Sequence, residues 1–248
     1  MASKTSYSCT ECGWSSVKWV GQCGECQAWD TLREGAVGGG KGLGSVRSVK
    51  ASVIVASSAA RPITEISTDS VASRSTGVAE FDRVLGGGLV PGSVVLLGGD
   101  PGIGKSTLLL QVGARVCGDA NVLYATGEES ASQVRLRAER TGGLSENLYL
   151  ASETDLATIM GQFEALKPEL LIVDSVQTVS SSEVDGAPGM PAQVREVAAN
   201  LIRLAKQSST PLLLVGHVTK DGSIAGPRTL EHLVDVVCQF EGDRQTSL

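Results

Sequence analysis

Residues 93–107, SVVLLGGDPGIGKST, decide the fold because they join a buried-strand pattern to a Gly-rich loop. Residues 94–97 form a short apolar run, which is typical of a parallel strand covered on both faces. The loop fits GxxxxGK[ST] at every fixed position, and an apolar helix is predicted from Thr107 to about Val116. Strand, loop and helix in this order predict a phosphate-binding site rather than a chance Gly-rich turn.

Each residue type in the loop suits the binding of ATP with Mg²⁺. Glycines let backbone N–H groups turn toward phosphate oxygens, Lys105 brings a point charge to the β and γ phosphates, and the Ser106 hydroxyl can ligate Mg²⁺. The positions that we expect to contact the nucleotide are Gly99, Asp100, Pro101, Gly102, Ile103, Gly104, Lys105, Ser106 and Thr107.

The composition limits the classes of protein to consider. The chain has 248 residues, of which 42% are hydrophobic, so it can bury a sizeable core in one or two domains, and we expect two. The net charge of -6 argues against a surface coated in positive charge, so contact with nucleic acid should be local. There is no signal-peptide pattern and no apolar run of about 18 to 20 residues, so we expect a cytoplasmic protein without a membrane anchor.

Four of the six cysteines predict a structural zinc site near the N-terminus. They form two CxxC pairs separated by ten residues: Cys9, Cys12, Cys23 and Cys26. Four thiolates close a tetrahedral shell around Zn²⁺ and leave no position for catalytic water. A redox dithiol pair is the alternative, but disulfides are uncommon in the cytosol.

All three tryptophans fall in or just after this cysteine-rich module: Trp14, Trp19 and Trp29. We expect their rings to pack around the metal knuckles. The alternative is that they offer stacking surfaces to nucleic-acid bases.

The chain divides into three predicted segments. Residues 1–33 form the C4 zinc-finger module, residues 34–61 a linker rich in Gly, Ser and Ala, and residues 62–248 a single α/β domain. The linker is basic within an acidic chain, which suits either a tether near nucleic acid or ordinary solvated charge.

The α/β domain is predicted from alternating strand and helix patterns. Beyond the phosphate loop, strands are expected at residues 121–125, 147–150, 170–174, 211–216 and 234–240. Helices are expected at residues 78–85, 131–140, 155–166 and 193–206. This alternation predicts a mostly parallel sheet with flanking helices on both faces.

Polar residues at strand ends are the candidates for chemistry. Asp174 ends an apolar strand in the Walker B pattern, in which the acid holds the magnesium ion directly or through water. Glu128 is the expected base for the attacking water and Glu129 its runner-up, with the alternative that both cap the helix that begins near Ser130. His217 ends another strand, where it could sense the γ-phosphate or make an ordinary hydrogen bond.

Several motifs together resemble the bacterial RadA (Sms) family of RecA-like DNA-repair ATPases. These motifs are the CxxC pair with KWVGQC, then AWDTL, STGVAEFDRVLGGGLVPGS, GDPGIGKST, YATGEES, LLIVDSVQT and GHVTKDG. The resemblance implies a RecA fold, DNA-stimulated ATP hydrolysis, binding of single-stranded DNA and branch migration of recombination intermediates. It also implies a homo-hexameric ring at full length and a recombinase or helicase as a protein partner.

The same resemblance implies roles for single residues. It implies phosphate and magnesium contacts at Lys105 and Ser106, a catalytic glutamate at Glu128 and a magnesium-linked acid at Asp174. It further implies DNA-facing loops at residues 179–191 and 220–228, and the basic residues of the second loop are Lys220 and Arg228.

The family pattern continues beyond the residues present here. Family members carry a KNRFG motif and then a domain similar to Lon protease, whereas this sequence stops at Leu248. The expectation is therefore a C-terminally truncated member with low ATPase activity and no stable ring. A second function remains open, a nucleotide-gated switch or protein-interaction module without motor activity.

The zinc site yields the first prediction. The purified chain should carry one zinc ion, because four paired thiolates suit Zn²⁺ better than other cytosolic metals. The double variant Cys9→Ser/Cys12→Ser should lose it, as measured by metal analysis. A full equivalent of zinc in that variant would exclude this ligand set.

Overall fold

The computed structural model describes residues 6–9, 15–16, 18–24, 28–35, 62–65, 72–118, 120–216 and 230–242. The chain divides into two compact units, Met1–Arg61 and Pro62–Leu248. None of the helices in the described part is both long enough and apolar enough to cross a membrane.

The N-terminal unit contains a small antiparallel sheet. Its strands are β1 (Ser6–Cys9), β2 (Ser15–Ser16) and β3 (Leu32–Gly35), in the order β2-β1-β3. Cys9, Cys23 and Leu32 are buried together, with Tyr7 packed against them. A buried cluster this small among the described residues supplies little folding free energy, which fits a unit that depends on a bound metal.

Two tryptophans of this unit do not pack as the sequence predicted. Trp19 is 58% exposed and Trp29 is 72% exposed, and both rings approach the open side of Gly21. The expectation of packed rings is therefore wrong for these two, since the cluster of described residues buries neither of them. Trp14 lies outside the described residues.

The C-terminal unit alternates strands and helices as the sequence predicted. In chain order its elements are α1 (Ala79–Val84), β4 (Val94–Gly99), α2 (Lys105–Cys117), β5 (Val122–Thr126), α3 (Ala131–Thr141), β6 (Leu148–Ser152), α4 (Leu156–Leu166), β7 (Leu170–Asp174), α5 (Pro191–Ser208), β8 (Leu212–Val215) and β9 (Val236–Phe240). A short 3-10 turn, Ile63–Glu65, precedes them. The helix after the phosphate loop begins at Lys105, two residues before the predicted start.

Strands β4 to β9 form one sheet in the order β6-β5-β7-β8-β4-β9, and every pair in it is parallel. Their carboxyl ends therefore lie along one edge. Strand β8 separates the phosphate-loop strand β4 from β7, so the ends of these three strands are neighbours. The α/β fold with a parallel sheet and flanking helices is confirmed.

The core lies on both faces of this sheet because its strands alternate between two apolar clusters. Leu171 and Val173 of β7 pack with α4 and α5, whereas Leu170 and Ile172 pack with α1, α2 and α3. A strand buried on both faces needs apolar residues at every position, which explains the uninterrupted apolar runs in the sequence.

A Gly-rich turn after α1 delivers the chain to the phosphate-loop strand. Arg74 and Leu89 exchange two backbone hydrogen bonds of 2.8 Å across it. Gly88 has φ +127°, and a Cβ there would lie 2.2 Å from the Arg74 carbonyl oxygen. Only glycine fits this close backbone approach.

The turn offers a matched pair of substitutions. Gly86 also has positive φ, but a Cβ there would meet nothing within 4 Å. Gly86→Ala should lower the free energy of unfolding by about 1–2 kcal/mol through backbone strain alone. Gly88→Ala should cost at least about 2 kcal/mol more, because backbone atoms must move to accept the methyl group. Urea unfolding measures both, and equal losses would contradict the steric argument.

Candidate functional site

The phosphate loop lies between β4 and α2, at the carboxyl edge of the parallel sheet. Gly99, Gly102 and Gly104 have φ of +153°, +79° and +109°, which glycine adopts without strain. A Cβ at Gly99 would lie 2.5 Å from the Phe240 carbonyl oxygen, so β9 packs directly against the start of the loop. The loop leads into the N-terminus of α2, whose unpaired N–H groups and helix dipole favour an anion.

Lys105 is buried within its own loop. The residue is only 5% exposed. Its Nζ donates hydrogen bonds to the carbonyl oxygens of Gly99 at 2.7 Å and Asp100 at 2.9 Å. Burial lowers the pKa of this ammonium group, and the negative charges of Asp174, Glu128 and Asp100 oppose that shift. The cation predicted to bind phosphate thus lies within electrostatic reach of both predicted catalytic carboxylates.

Asp174 ends β7 and is 4% exposed, beside the end of β5, where Thr126 pairs with it across the sheet. The Tyr124 hydroxyl donates a 2.6 Å hydrogen bond to Oδ2 of Asp174. Burial, and then the Asp174 carboxylate, raise the pKa of the Tyr124 phenol well above its usual value. The peptide bond between Asp174 and Ser175 is cis.

The two glutamates that follow β5 have different surroundings. Glu128 is exposed, and its backbone N–H donates to the Thr126 hydroxyl at 3.2 Å. Glu129 is partly buried and forms an ion pair with Arg137 of α3. The two carboxylates are therefore not equivalent: Glu129 is held in an ion pair by Arg137, whereas the negative charge of Glu128 acts on the pKa of Lys105.

Neither glutamate supplies the side-chain cap of α3. Ser130 caps the helix, accepting a hydrogen bond from the Gln133 N–H at 3.4 Å while the Gln133 side chain accepts from the Ser130 N–H at 3.0 Å. This reciprocal pattern is a capping box. Ser130 and Gln133 thus supply the side-chain capping that the sequence had left open for the two glutamates.

The segment after β7 closes tightly on the end of β5. A Cβ at Gly127 would lie 2.6 Å from the Thr178 hydroxyl and 2.7 Å from a Thr154 methyl group.

The loop over residues 179–191 is anchored by Gln193, which is 2% exposed. The Gln193 side chain accepts a hydrogen bond from the Ser181 N–H at 2.8 Å and donates one to the Ser181 carbonyl oxygen at 3.0 Å. This buried amide fixes the base of a loop that the family resemblance assigns to DNA.

Five of the predicted site residues fall outside the part of the chain that the structure describes. His217, Lys220 and Arg228 lie outside the described residues, as do two of the four module cysteines, Cys12 and Cys26. Strand β8, which leads to His217, is held beside the phosphate-loop strand by a 3.0 Å hydrogen bond from the Gly216 N–H to the Leu97 carbonyl oxygen.

Sequence reasoning missed three polar residues of the site: Tyr124, Arg137 and Gln193. Tyr124 is the one for which the sequence held a signal, because a tyrosine inside an apolar buried strand needs a partner for its hydroxyl. The partners of the other two are set by tertiary contacts that no local pattern reveals.

Two family models match this chain. One, described as an AAA domain, covers residues 60–223, and the other, described as a rubredoxin metal binding domain, covers residues 7–34. The first points to nucleotide binding in the unit that contains the phosphate loop. The second points to metal binding in the unit where Cys9 and Cys23 are buried together.

Three similar proteins carry the name DNA repair protein RadA. The protein from Mycobacterium tuberculosis is 51% identical over 248 residues, which cover 99% of this chain and 51% of the relative. The one from Mycolicibacterium smegmatis is 51% identical over 252 residues, covering 99% and 53%. The one from Streptococcus pyogenes is 47% identical over 244 residues, covering 97% and 52%. The chain thus spans about half the length of these curated relatives.

Proposed function

The chain belongs to the RadA family, and from that premise we propose that it is a DNA-dependent ATPase of recombination and DNA repair. The proposed activity is ATP hydrolysis coupled to single-stranded DNA binding and to branch migration of recombination intermediates. The observation that carries the ATPase proposal is the phosphate loop with its buried Lys105, which lies at the edge of the parallel sheet where β7 ends in Asp174.

In this proposal the loop residues Gly99 to Thr107 hold the triphosphate of ATP. Lys105 exchanges the carbonyl oxygens of Gly99 and Asp100 for β- and γ-phosphate oxygens. That exchange moves a buried cation from neutral oxygens to charged ones, which form stronger hydrogen bonds. The occupied loop therefore satisfies the ammonium group better than the loop alone does.

The Ser106 hydroxyl and the Asp174 carboxylate are the proposed magnesium-linked groups. Both are oxygen donors at the carboxyl edge of the sheet, which is the donor chemistry that Mg²⁺ prefers. A bound magnesium ion neutralises charge that develops on the phosphate oxygens.

Glu128 is proposed as the base that orients and deprotonates the attacking water. Its carboxylate is exposed and lies within electrostatic reach of Lys105, whereas Glu129 is held in an ion pair by Arg137. A carboxylate held in an ion pair is less free to orient a water molecule, so the contact with Arg137 favours Glu128 over its neighbour.

The remaining roles are proposed from the order of the strands and from the family to which the chain belongs. His217 would sense the γ-phosphate, because β8 runs between the phosphate-loop strand and β7. DNA would contact the loops at residues 179–191 and 220–228, with Lys220 and Arg228 as the cations. At full length the proposal includes a homo-hexamer in the cytoplasm, a recombinase or helicase partner, and Zn²⁺ in the N-terminal ribbon.

Three substitutions test the chemical roles. Lys105→Ala should weaken binding of a fluorescent ATP analogue, because the cationic contact to the phosphates is lost. Glu128→Gln should retain binding and slow turnover by about 10²- to 10⁴-fold, the usual contribution of a general base. Glu129→Gln is the matched control and should keep most of the turnover. If Glu129→Gln is slow and Glu128→Gln is not, the assignment of the base is reversed.

The DNA-binding role is tested by ATP turnover and by salt dependence. Single-stranded DNA should raise the turnover of a chain extended to the full length of the relatives, and no stimulation would favour the nucleotide-gated switch. Lys220→Ala/Arg228→Ala should weaken DNA binding and reduce the slope of log affinity against log salt by about 1 to 2, since two phosphate contacts are lost. Unchanged affinity and slope would place the DNA site on other residues.

A further inference from the structure

Tyr124 is a buried tyrosine in the middle of an otherwise aliphatic strand. It is 1% exposed and packs in the core cluster that β5 shares with α2 and α3. A buried phenol keeps its ring in the core but must find a partner for its hydroxyl. The partner here is Oδ2 of Asp174, at 2.6 Å.

The contact does more than satisfy a buried hydroxyl, because its partner is the carboxylate at the end of β7. Thr126 of β5 lies opposite Asp174 of β7 in the sheet register. Tyr124 precedes Thr126 by two residues, so its side chain extends along the sheet to reach the end of β7. There it meets the carboxylate of the Walker B pattern on a strand whose backbone is fixed by pairing on both sides. A hydrogen bond to one oxygen also fixes the rotation of the carboxylate plane.

Charged groups surround the same hydroxyl. Arg137 and Glu129, which pair with each other, both lie within electrostatic reach of it. Asp174 in turn opposes the lowering of the Lys105 pKa, so the carboxylate that Tyr124 contacts is coupled electrostatically to the phosphate-loop lysine.

We propose that Tyr124 is a positioning residue for Asp174: its hydroxyl holds Oδ2 so that the carboxylate presents its other oxygen toward the magnesium ion of the bound nucleotide. The inference rests on the proposed ATPase function. It predicts a defect in the contribution of magnesium to nucleotide binding, rather than a general loss of nucleotide affinity. Removing a group that orients a metal ligand typically lowers metal affinity by about 10- to 100-fold.

The first experiment separates the magnesium contribution from the rest of binding. The dissociation constant of a non-hydrolysable fluorescent ATP analogue is measured with Mg²⁺ and with EDTA, and the ratio of the two gives the magnesium enhancement. Tyr124→Phe removes only the hydroxyl, and it should lower this enhancement by about 10-fold while leaving the EDTA value within about twofold. Tyr149→Phe is the matched control, since Tyr149 is 44% exposed on β6 and should change neither value.

A double variant shows whether Tyr124 acts through Asp174. Asp174→Asn should itself lower the magnesium enhancement, and adding Tyr124→Phe should then lower it no further. An equal loss from Tyr124→Phe in both backgrounds, or an equal loss of affinity in EDTA, would overturn the positioning role in favour of a purely structural one. Normal enhancement in Tyr124→Phe would overturn it as well.

A second measurement covers the case in which Tyr124→Phe does not fold. The chain has three tyrosines, so 3-fluorotyrosine labelling gives three ¹⁹F resonances, and Tyr7→Phe and Tyr149→Phe identify that of Tyr124 by elimination. Addition of Mg²⁺ to the nucleotide-bound chain should shift this resonance, and Asp174→Asn should abolish the shift. If Mg²⁺ leaves the chemical shift of the Tyr124 resonance unchanged, the inference is overturned and the proposed function is not. If the parent chain binds no nucleotide, both are overturned.

Discussion

Parallel pairing of six strands is the constraint on which the rest of the domain depends. Because every strand runs in the same direction, their carboxyl ends share one edge, and residues far apart in sequence meet there. Strand order then selects which of them are neighbours: β4 carries the phosphate loop, β7 ends in Asp174, and β8 lies between the two. The helices bury both faces, so the edge is where polar side chains can gather without disrupting the core.

The charges gathered at that edge stabilise one another at a cost in desolvation. The Lys105 ammonium group has lost most of its water and is held by two carbonyl oxygens, with three carboxylates within electrostatic reach. A buried cation with only neutral hydrogen-bond partners is poorly compensated, because removing a charge from water costs more than two neutral contacts return. A phosphate oxygen bound in the loop would give the ammonium group a charged hydrogen-bond partner, which the carbonyl oxygens of Gly99 and Asp100 do not.

The sequence was sufficient for the elements of the C-terminal unit and for the phosphate loop, since both leave local signals, but it did not predict the three short strands of the N-terminal unit. Largely apolar runs between Gly- and Pro-containing turns located the six strands of the parallel sheet, and the fixed spacing around Lys105 located the loop. It was insufficient where a contact joins distant residues, as in the hydrogen bond from Tyr124 to Asp174, 50 positions apart. The exposed ring of Trp29 was missed for a related reason: whether an aromatic packs depends on the size of the core, which local sequence does not reveal.

The strand on the other side of the loop shows how the nucleotide site is joined to the edge of the sheet. Phe240 of β9 lies against Gly99 so closely that a methyl group there would meet its carbonyl oxygen at 2.5 Å, and a methyl group at Gly242 would meet Ile103 at 3.2 Å. The first contact joins the loop to β9, and the second joins it to the residue two positions after the strand ends. At Gly99 the two backbones meet with no side chain between them, so a larger residue there would push the loop away from β9. Strand β9 therefore supports the phosphate loop by packing, although it contributes none of the residues assigned to the chemistry.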